Sequence, residues 1–305
     1  MEKFEVIILG CGSAVPAGRH MTTAQLVNVH EKLFLVDCGE GTQTQIWKSG
    51  IRLTNMNHIF ISHAHGDHFF GLVPLVSSMS LMLDRTADLH LWIPADLEEP
   101  LKYDFEHYCY TPFKLIMHPV DTTRQMVLYE DKEMKVETIP LKHGVPCCGF
   151  LFSEKPKLPV LLPEKCKAFG IPILEFGKIK AGAGWTMEDG TVIPNSELTV
   201  PNDFIPRKYA YCSDTVYYPE MIPQIQDADL LYHEATFTSE DEKQAVKFAH
   251  STAAQAATIA REANVKQLAI GHYSIRYGGE RELLAEAQSI FPNTVASQEG
   301  MKIHL

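Results

Sequence analysis

Short apolar, β-branched runs separated by turns dominate the first half of the chain. Residues 4–9, 24–29, 33–36 and 58–62 read as strands, as do 89–93, 126–128, 135–140 and 149–152. Helices are expected after Gly41 as far as Ser49, stopped by Gly50, and from Asp67 through Leu72 to Met82. The last third alternates strand 209–212, strand 230–233, helix 251–263, strand 267–270 and helix 280–290. Strands followed by strand–helix alternation, twice over, predict an α/β protein: two sheets packed face to face with helices outside. The stretch 155–207 breaks this pattern. It is rich in proline and glycine, has weak periodicity, and is too long for an ordinary connection. It reads either as a loose insertion or as a protruding functional arm.

Composition narrows the class. At 305 residues with 45% hydrophobic content, the chain can fill one large globular domain. Its net charge of −11 argues, taken whole, against a nucleic-acid partner. The charge is unevenly spread, however. Residues 155–180 hold six lysines against Glu164 and Glu175, a local +4, so the remainder carries −15. No apolar run approaches the roughly 20 residues that span a bilayer, and Met1-Glu2-Lys3 leads straight into a strand pattern. Seven scattered cysteines without a CxxC pair read as reduced thiols, so a cytoplasmic location and no membrane partner are expected. Gly10-Cys11-Gly12-Ser13 lacks the third glycine of a dinucleotide loop, and no organic cofactor is expected.

The candidate chemistry lies in His63-Ala64-His65-Gly66-Asp67-His68. Three imidazoles and a carboxylate within six residues, leaving a strand end in a tight turn, suit a divalent metal such as zinc. A two-metal site needs about three further ligands. His143, Asp214 and His272 each follow a predicted strand, where sites sit in layered α/β folds. Each alone would be an ordinary turn residue; together they favour a metal site.

H-x-H-x-D-H with a later His, Asp and His resembles the metallo-β-lactamase superfamily, an αββα sandwich. Leu35-Val36-Asp37-Cys38-Gly39-Glu40-Gly41-Thr42, His233-Glu234-Ala235-Thr236-Phe237, His250-Ser251-Thr252 and Gly271-His272-Tyr273-Ser274-Ile275-Arg276-Tyr277 bring the likeness closer, to the ribonuclease Z family of tRNA 3′-processing endonucleases. The resemblance spans residues 6 to about 297. It implies a single metallo-β-lactamase domain over 1–305, with 155–207 as an inserted tRNA-binding arm. It further implies that His63, His65 and His143 hold one zinc, that Asp67, His68 and His272 hold a second, and that Asp214 bridges them. Manganese or iron(II) could substitute. Asp67 would orient and deprotonate the attacking water, His250 would act as general acid, and Glu234 would orient His250.

By the same resemblance the substrate is precursor tRNA, and the enzyme is a homodimer in which one subunit's arm serves the other's site. Residues 171–182 resemble the arm tip, which makes Lys178 and Lys180 the expected RNA contacts. Two departures stand out. Pro172-Ile173-Leu174-Glu175 stands where the family usually has a Gly-Pro pair, and Pro16-Ala17-Gly18-Arg19-His20 stands where it often has a loop with Arg-Asn. The alternative function is a small-molecule hydrolase of the same fold, a phosphodiesterase or arylsulfatase, since fold does not fix substrate.

Overall fold

The computed structural model describes residues 2–16, 19–82 and 85–305. Ala17 and Gly18, within the 16–20 loop singled out above, lie outside the described residues. The chain divides into two compact units. One holds the chain up to Tyr129, Val136–Phe152 and Arg207–Leu305; the other holds Glu130–Lys135 and Ser153–Pro206.

In the first sheet, β1 (Phe4–Gly10), β2 (Ala24–Val29) and β3 (Lys32–Val36) run antiparallel. β4 (Met56–Phe60), β5 (Leu89–Pro94) and β6 (Leu115–Val120) then continue parallel to β3. Helices α1 (Thr42–Ser49), α2 (Gly66–Phe69), α3 (Leu72–Met82) and α4 (Glu98–Tyr108) lie between these strands in sequence.

A second sheet begins with β7 (Val127–Glu130), β8 (Met134–Pro140) and β9 (Cys148–Glu154). The other unit supplies β10 (Val160–Leu161), α5 (Pro163–Ala168), α6 (Phe176–Lys180), β11 (Trp185–Thr186), β12 (Val192–Ile193), α7 (Asn195–Leu198) and β13 (Thr199–Val200). After it come β14 (Lys208–Cys212), α8 (Ile222–Ile225), β15 (Leu230–Glu234), α9 (Glu242–Phe248), α10 (Ala253–Glu262), β16 (Gln267–Gly271), α11 (Arg281–Ile290), β17 (Thr294–Ala296) and β18 (Lys302–His304). Strand order is 18-1-2-3-4-5-6 in the first sheet and 17-16-15-14-9-8-7 in the second, with β14 to β17 parallel.

The central strands are buried on both faces, and strand alternation sorts their side chains into two layers. Ile7, Leu9, Leu26, Leu35 and Ile59 pack with Ile46 of α1, Leu75 and Met79 of α3, and Leu101 and Phe105 of α4. Facing the other way, Phe34 and Phe60 meet Phe150 and Phe152 of β9, with ring centroids 5.4–5.8 Å apart. Each such ring contributes roughly 1.5–3 kcal/mol by leaving water. The result is the expected pair of face-to-face sheets with helices outside.

The helix expected to run unbroken from Asp67 to Met82 is interrupted. Gly71 N donates to Cys38 O (2.8 Å), and Cys38 N donates to His68 O (2.7 Å). A Cβ on Gly71 would sit 2.2 Å from Gly39 O, and one on Gly39 would sit 2.2 Å from Asp67 O. Two bare backbones therefore press together at this point, and the histidine turn is seated by that contact. α4 and β6 escape the hydrophobic pattern because each contains a proline. Pro100 lies in the first turn of α4, where it displaces no helical bond. Pro119 lies on an edge strand, where its missing N–H is tolerated.

The second unit is held by a small core: Cys166, Ile171, Ile179, Ile193 and Leu198, with Phe169, Phe176 and Trp185 packed on it. Its strands are two residues long and pair as two ribbons, too short to show as alternation in the sequence.

Candidate metal centre

Strand C-termini bring the site together. Ser62 and His63 follow β4, and His65 precedes α2, whose first turn carries Asp67 and His68. His143 lies three residues beyond β8, and Asp214 lies two beyond β14. In the parallel register, Cys212 pairs with His233 and Glu234 with Gly271. Asp214, Glu234 and His272 therefore emerge at one level. His272 takes a left-handed conformation (φ 62°), which turns its side chain back off the strand end.

Seven side chains converge. His65 Nδ1 lies 3.1 Å from His63 Nε2 and 3.3 Å from His143 Nε2. Asp214 Oδ2 is 3.5 Å from His63 Nε2 and 3.8 Å from His143 Nε2. Asp214 Oδ1 points the other way, 3.5 Å from His68 Nε2 and 3.3 Å from His272 Nε2. Asp67 Oδ2 completes this second trio, 3.6 Å from His68 Nε2 and 3.4 Å from His272 Nε2. One carboxylate thus presents an oxygen to each of two three-residue groups.

The donor set fits divalent cations. Asp214 Oδ1 is buried and accepts no hydrogen bond. The outer nitrogens of four histidines are engaged, which leaves their inner nitrogens as lone pairs. His68 Nδ1 donates to Asp37 Oδ2 (2.8 Å) and His143 Nδ1 to Ala249 O (2.7 Å). His63 Nδ1 donates to Ser62 Oγ (2.9 Å), which in turn donates to Asp37 Oδ2 (2.9 Å). His272 Nδ1 donates to Thr236 Oγ1 (2.8 Å), which in turn donates to Glu234 Oε2 (2.7 Å).

The electrostatics show the same demand for positive charge. Burial would lower the His68 pKa, yet Asp214, Asp37 and Asp67 raise it to about 10. Burial would raise Asp214, yet His272, His68 and His63 hold it well below the carboxylate range. Two groups of ligand atoms, His63/His65/His143/Asp214 and Asp67/His68/His272, each lie within 4.8 Å of one another.

Beside this cluster His250 Nδ1 donates to Glu234 Oε1 (2.9 Å). Glu234 is fully buried, and its charge is balanced by the N–H groups of Ser251 (2.9 Å), Thr215 (3.2 Å) and Thr236 (3.0 Å). Burial would lower the His250 pKa, but the Glu234 charge and hydrogen bond raise it to about 9. Thr252 caps α10 in a capping box with Gln255, which fixes where His250 leaves the chain.

Sequence reading gave no role to Asp37, Ser62 or Thr236, which orient the candidate ligand histidines. A charged residue directly after the apolar strand 33–36 was the available signal for Asp37. Ala14 N, donating to Asp67 Oδ2 (2.7 Å), is a backbone contact with no side-chain signature. Alongside lies a cavity of about 410 Å³ lined by Gly12, Arg19, His20, Tyr273, Ile275 and Tyr277, among others. In the second unit Lys178 and Lys180 are exposed, but Lys178 is paired with Glu175 (2.8 Å). Lys165, Lys167 and Lys180 are exposed without an ion-pair partner among the described residues. No helix among the described residues is long and apolar enough to cross a membrane.

Comparisons with known proteins agree with this geometry. Residues 204–273 match the beta-lactamase superfamily domain, and residues 4–155 match the family described as anti-Pycsar protein Apyc1. The solved structure of human tRNase Z, short form, superposes with a TM-score of 0.70 at 24% identity, over 98% of each chain. A long-form RNase Z from yeast gives 0.70 at 17% identity, over 99% of this chain and 42% of that one. These structures share the fold. Ribonuclease Z of Bacteroides fragilis is 50% identical over 100% of both chains. Ribonuclease Z of Porphyromonas gingivalis is 45% identical, again over 100% of both. With identity at that level running from end to end, the chain belongs to the ribonuclease Z family, hydrolytic endonucleases of the metallo-β-lactamase fold.

Proposed function

We propose that this chain is a zinc-dependent endoribonuclease that removes the 3′ trailer from precursor tRNA. It would leave a 3′-hydroxyl on the tRNA and a 5′-phosphate on the trailer. The observation that carries this reading is Asp214, with one oxygen facing each trio and the His250–Glu234 pair beside it. His63, His65 and His143 would hold one ion and Asp67, His68 and His272 the other, with Asp214 shared. Ions bound there would lower the pKa of the attacking water and clamp the oxygens of an in-line displacement.

The chain's own groups do the rest. Asp67, steadied by Ala14 N, orients the attacking water and receives its proton. His250 keeps its Nδ1 proton on Glu234, so Nε2 is the atom that donates. With a pKa of about 9 it is an imidazolium at neutral pH. As the new P–O bond forms and the P–O3′ bond breaks, the Nε2 proton passes to the departing 3′ oxygen. His250 then regains a proton from solvent.

The acidic whole is compatible with an RNA substrate, because phosphate contacts need local cations and not a basic chain. Lys165, Lys167, Lys178 and Lys180 supply them in the second unit. A homodimeric, cytoplasmic enzyme, in which one subunit's arm serves its partner's site, follows from the same reading.

The test is metal-loaded protein with 5′-labelled precursor tRNA, products resolved to the nucleotide. A cut just after the discriminator base is expected. An intact precursor under conditions where a small chromogenic diester is hydrolysed would overturn the tRNA assignment in favour of a small-molecule phosphodiesterase.

A further inference from the structure

Cys11, His20 and Glu299 form a second cluster of ligand-type atoms that shares no residue with the Asp214 centre. Cys11 Sγ lies 3.3 Å from His20 Nδ1 and 3.8 Å from Glu299 Oε1. Glu299 Oε1 lies 3.3 Å from the same His20 Nδ1. A tetrahedral zinc with ordinary Zn–S, Zn–N and Zn–O lengths separates its ligand atoms by roughly 3.4–3.6 Å. The three atoms already stand close to that spacing. The other His20 nitrogen, Nε2, is hydrogen-bonded to Glu280 Oε1. That is the arrangement metal-bound histidines use: one nitrogen on the ion, the other donating to a carboxylate. Without an ion, Nδ1 donates to Glu299 Oε2, and the hydrogen bonds to Glu299 and Glu280 raise the His20 pKa against its burial. A dication held by the sulfur, Nδ1 and the Glu299 carboxylate would take the place of that Nδ1 proton.

We propose that Cys11 Sγ, His20 Nδ1 and the Glu299 carboxylate bind a further divalent cation, of zinc chemistry, distinct from the catalytic pair. Thiolate and imidazole together select zinc among the common divalent ions. Binding releases the thiol proton, now donated to Ser297 O (3.3 Å), and any proton on Nδ1, both to solvent. One thiolate and one carboxylate then balance the dication. Cys11 is fully buried, while His20 and Glu299 keep partial exposure, so a water completes the coordination from that side.

The ion would act as a clamp. Met21 N donates to Glu299 Oε1 (2.8 Å), Gly12 N to Met21 O (2.9 Å) and Tyr273 N to Cys11 O (2.9 Å). The same loop carries Ala14, whose N–H holds Asp67. Tying residues 11, 20 and 299 to one ion fixes this loop against the strand end that bears His272.

Cobalt(II) substitution tests the site independently of tRNA cleavage. The catalytic ligands are all histidine and aspartate, so cobalt there gives no thiolate charge-transfer band. The reduced, cobalt-loaded protein should show that near-ultraviolet band, and Cys11→Ser should abolish it. Metal analysis should find one equivalent less in Cys11→Ser and in His20→Asn than in the unaltered protein. Should both variants fail to fold, X-ray absorption of the unaltered zinc protein decides, with one sulfur neighbour expected per bound cluster ion. Absence of both the band and a zinc–sulfur distance in the unaltered protein would overturn the proposal. It would leave His20 as an imidazolium bridging Glu280 and Glu299. A band that survives Cys11→Ser would also overturn it, by assigning the sulfur to another cysteine.

Discussion

Around Asp214 the side chains are buried or half-buried, and four of the five histidines are held through a second nitrogen that fixes their orientation. In the second unit the lysines stand in solvent, and part of their charge is already paired within the unit, as with Lys178 and Glu175. The first region is over-determined: moving one side chain disturbs several hydrogen bonds in a low-dielectric pocket. The second is additive, because exposed charges act at a distance through solvent and salt. Substitutions should therefore cost orders of magnitude in one region and modest, summable amounts in the other.

The largest effect is expected at the shared carboxylate. Asp214→Ala should take cleavage of both precursor tRNA and a small diester below detection and remove bound metal from both trios. Metal analysis beside the two assays checks this; full metal content in the variant would contradict its shared role.

Next comes His250, proposed above as the general acid. His250→Ala should slow tRNA cleavage by roughly 10²–10⁴-fold, with metal content and tRNA binding unchanged. Its pKa is raised in the folded protein, so the donating form is present below about 9 and is lost as pH rises through that value. Cleavage should fall off on the alkaline side. Glu234→Gln removes the group that raises this pKa, and burial then lowers it, so the alkaline limb should move to lower pH. A pH–rate profile that does not move would separate Glu234 from the acid.

Asp37 holds His68 and, through Ser62, His63. Asp37→Asn should weaken metal affinity by roughly 10–100-fold, read by competition with a chelator. The smallest effect belongs to the lysines of the second unit. Lys165, Lys167 and Lys180 changed together to Ala should weaken tRNA binding and lower its log–log salt slope by roughly 0.7–0.9 for each phosphate that is no longer neutralised. Small-diester turnover should stay as it was. Equal loss of both activities would erase the contrast between the regions.

The sequence disclosed these regions unequally, for physical reasons. Strands buried on both faces leave continuous apolar runs, so 24–29 and 230–233 could be placed almost to the residue. The histidines and aspartates just past such runs, which the structure brings together, stood out because packing alone has little use for them. Asp37 and Thr236 were not, since a residue acting through another has no signature of its own. α4 and β6 were hidden by Pro100 and Pro119, each harmless where it sits. The second unit appeared only as a change in composition, because two-residue strands and one- to two-turn helices carry no period to detect.

The contact between Gly39 and Gly71 has a bearing on which positions can vary. Loss of the partly exposed His65 side chain, a proposed ligand, should leave a chain that can still fold, only without its chemistry. A single methyl at either glycine meets carbonyl oxygens of the neighbouring backbone, which no rotamer change can relieve. The two plainest residues beside the histidine turn thus have little freedom to change. A library of variants screened for folding alone should be depleted at positions 39 and 71 before it is depleted at any histidine.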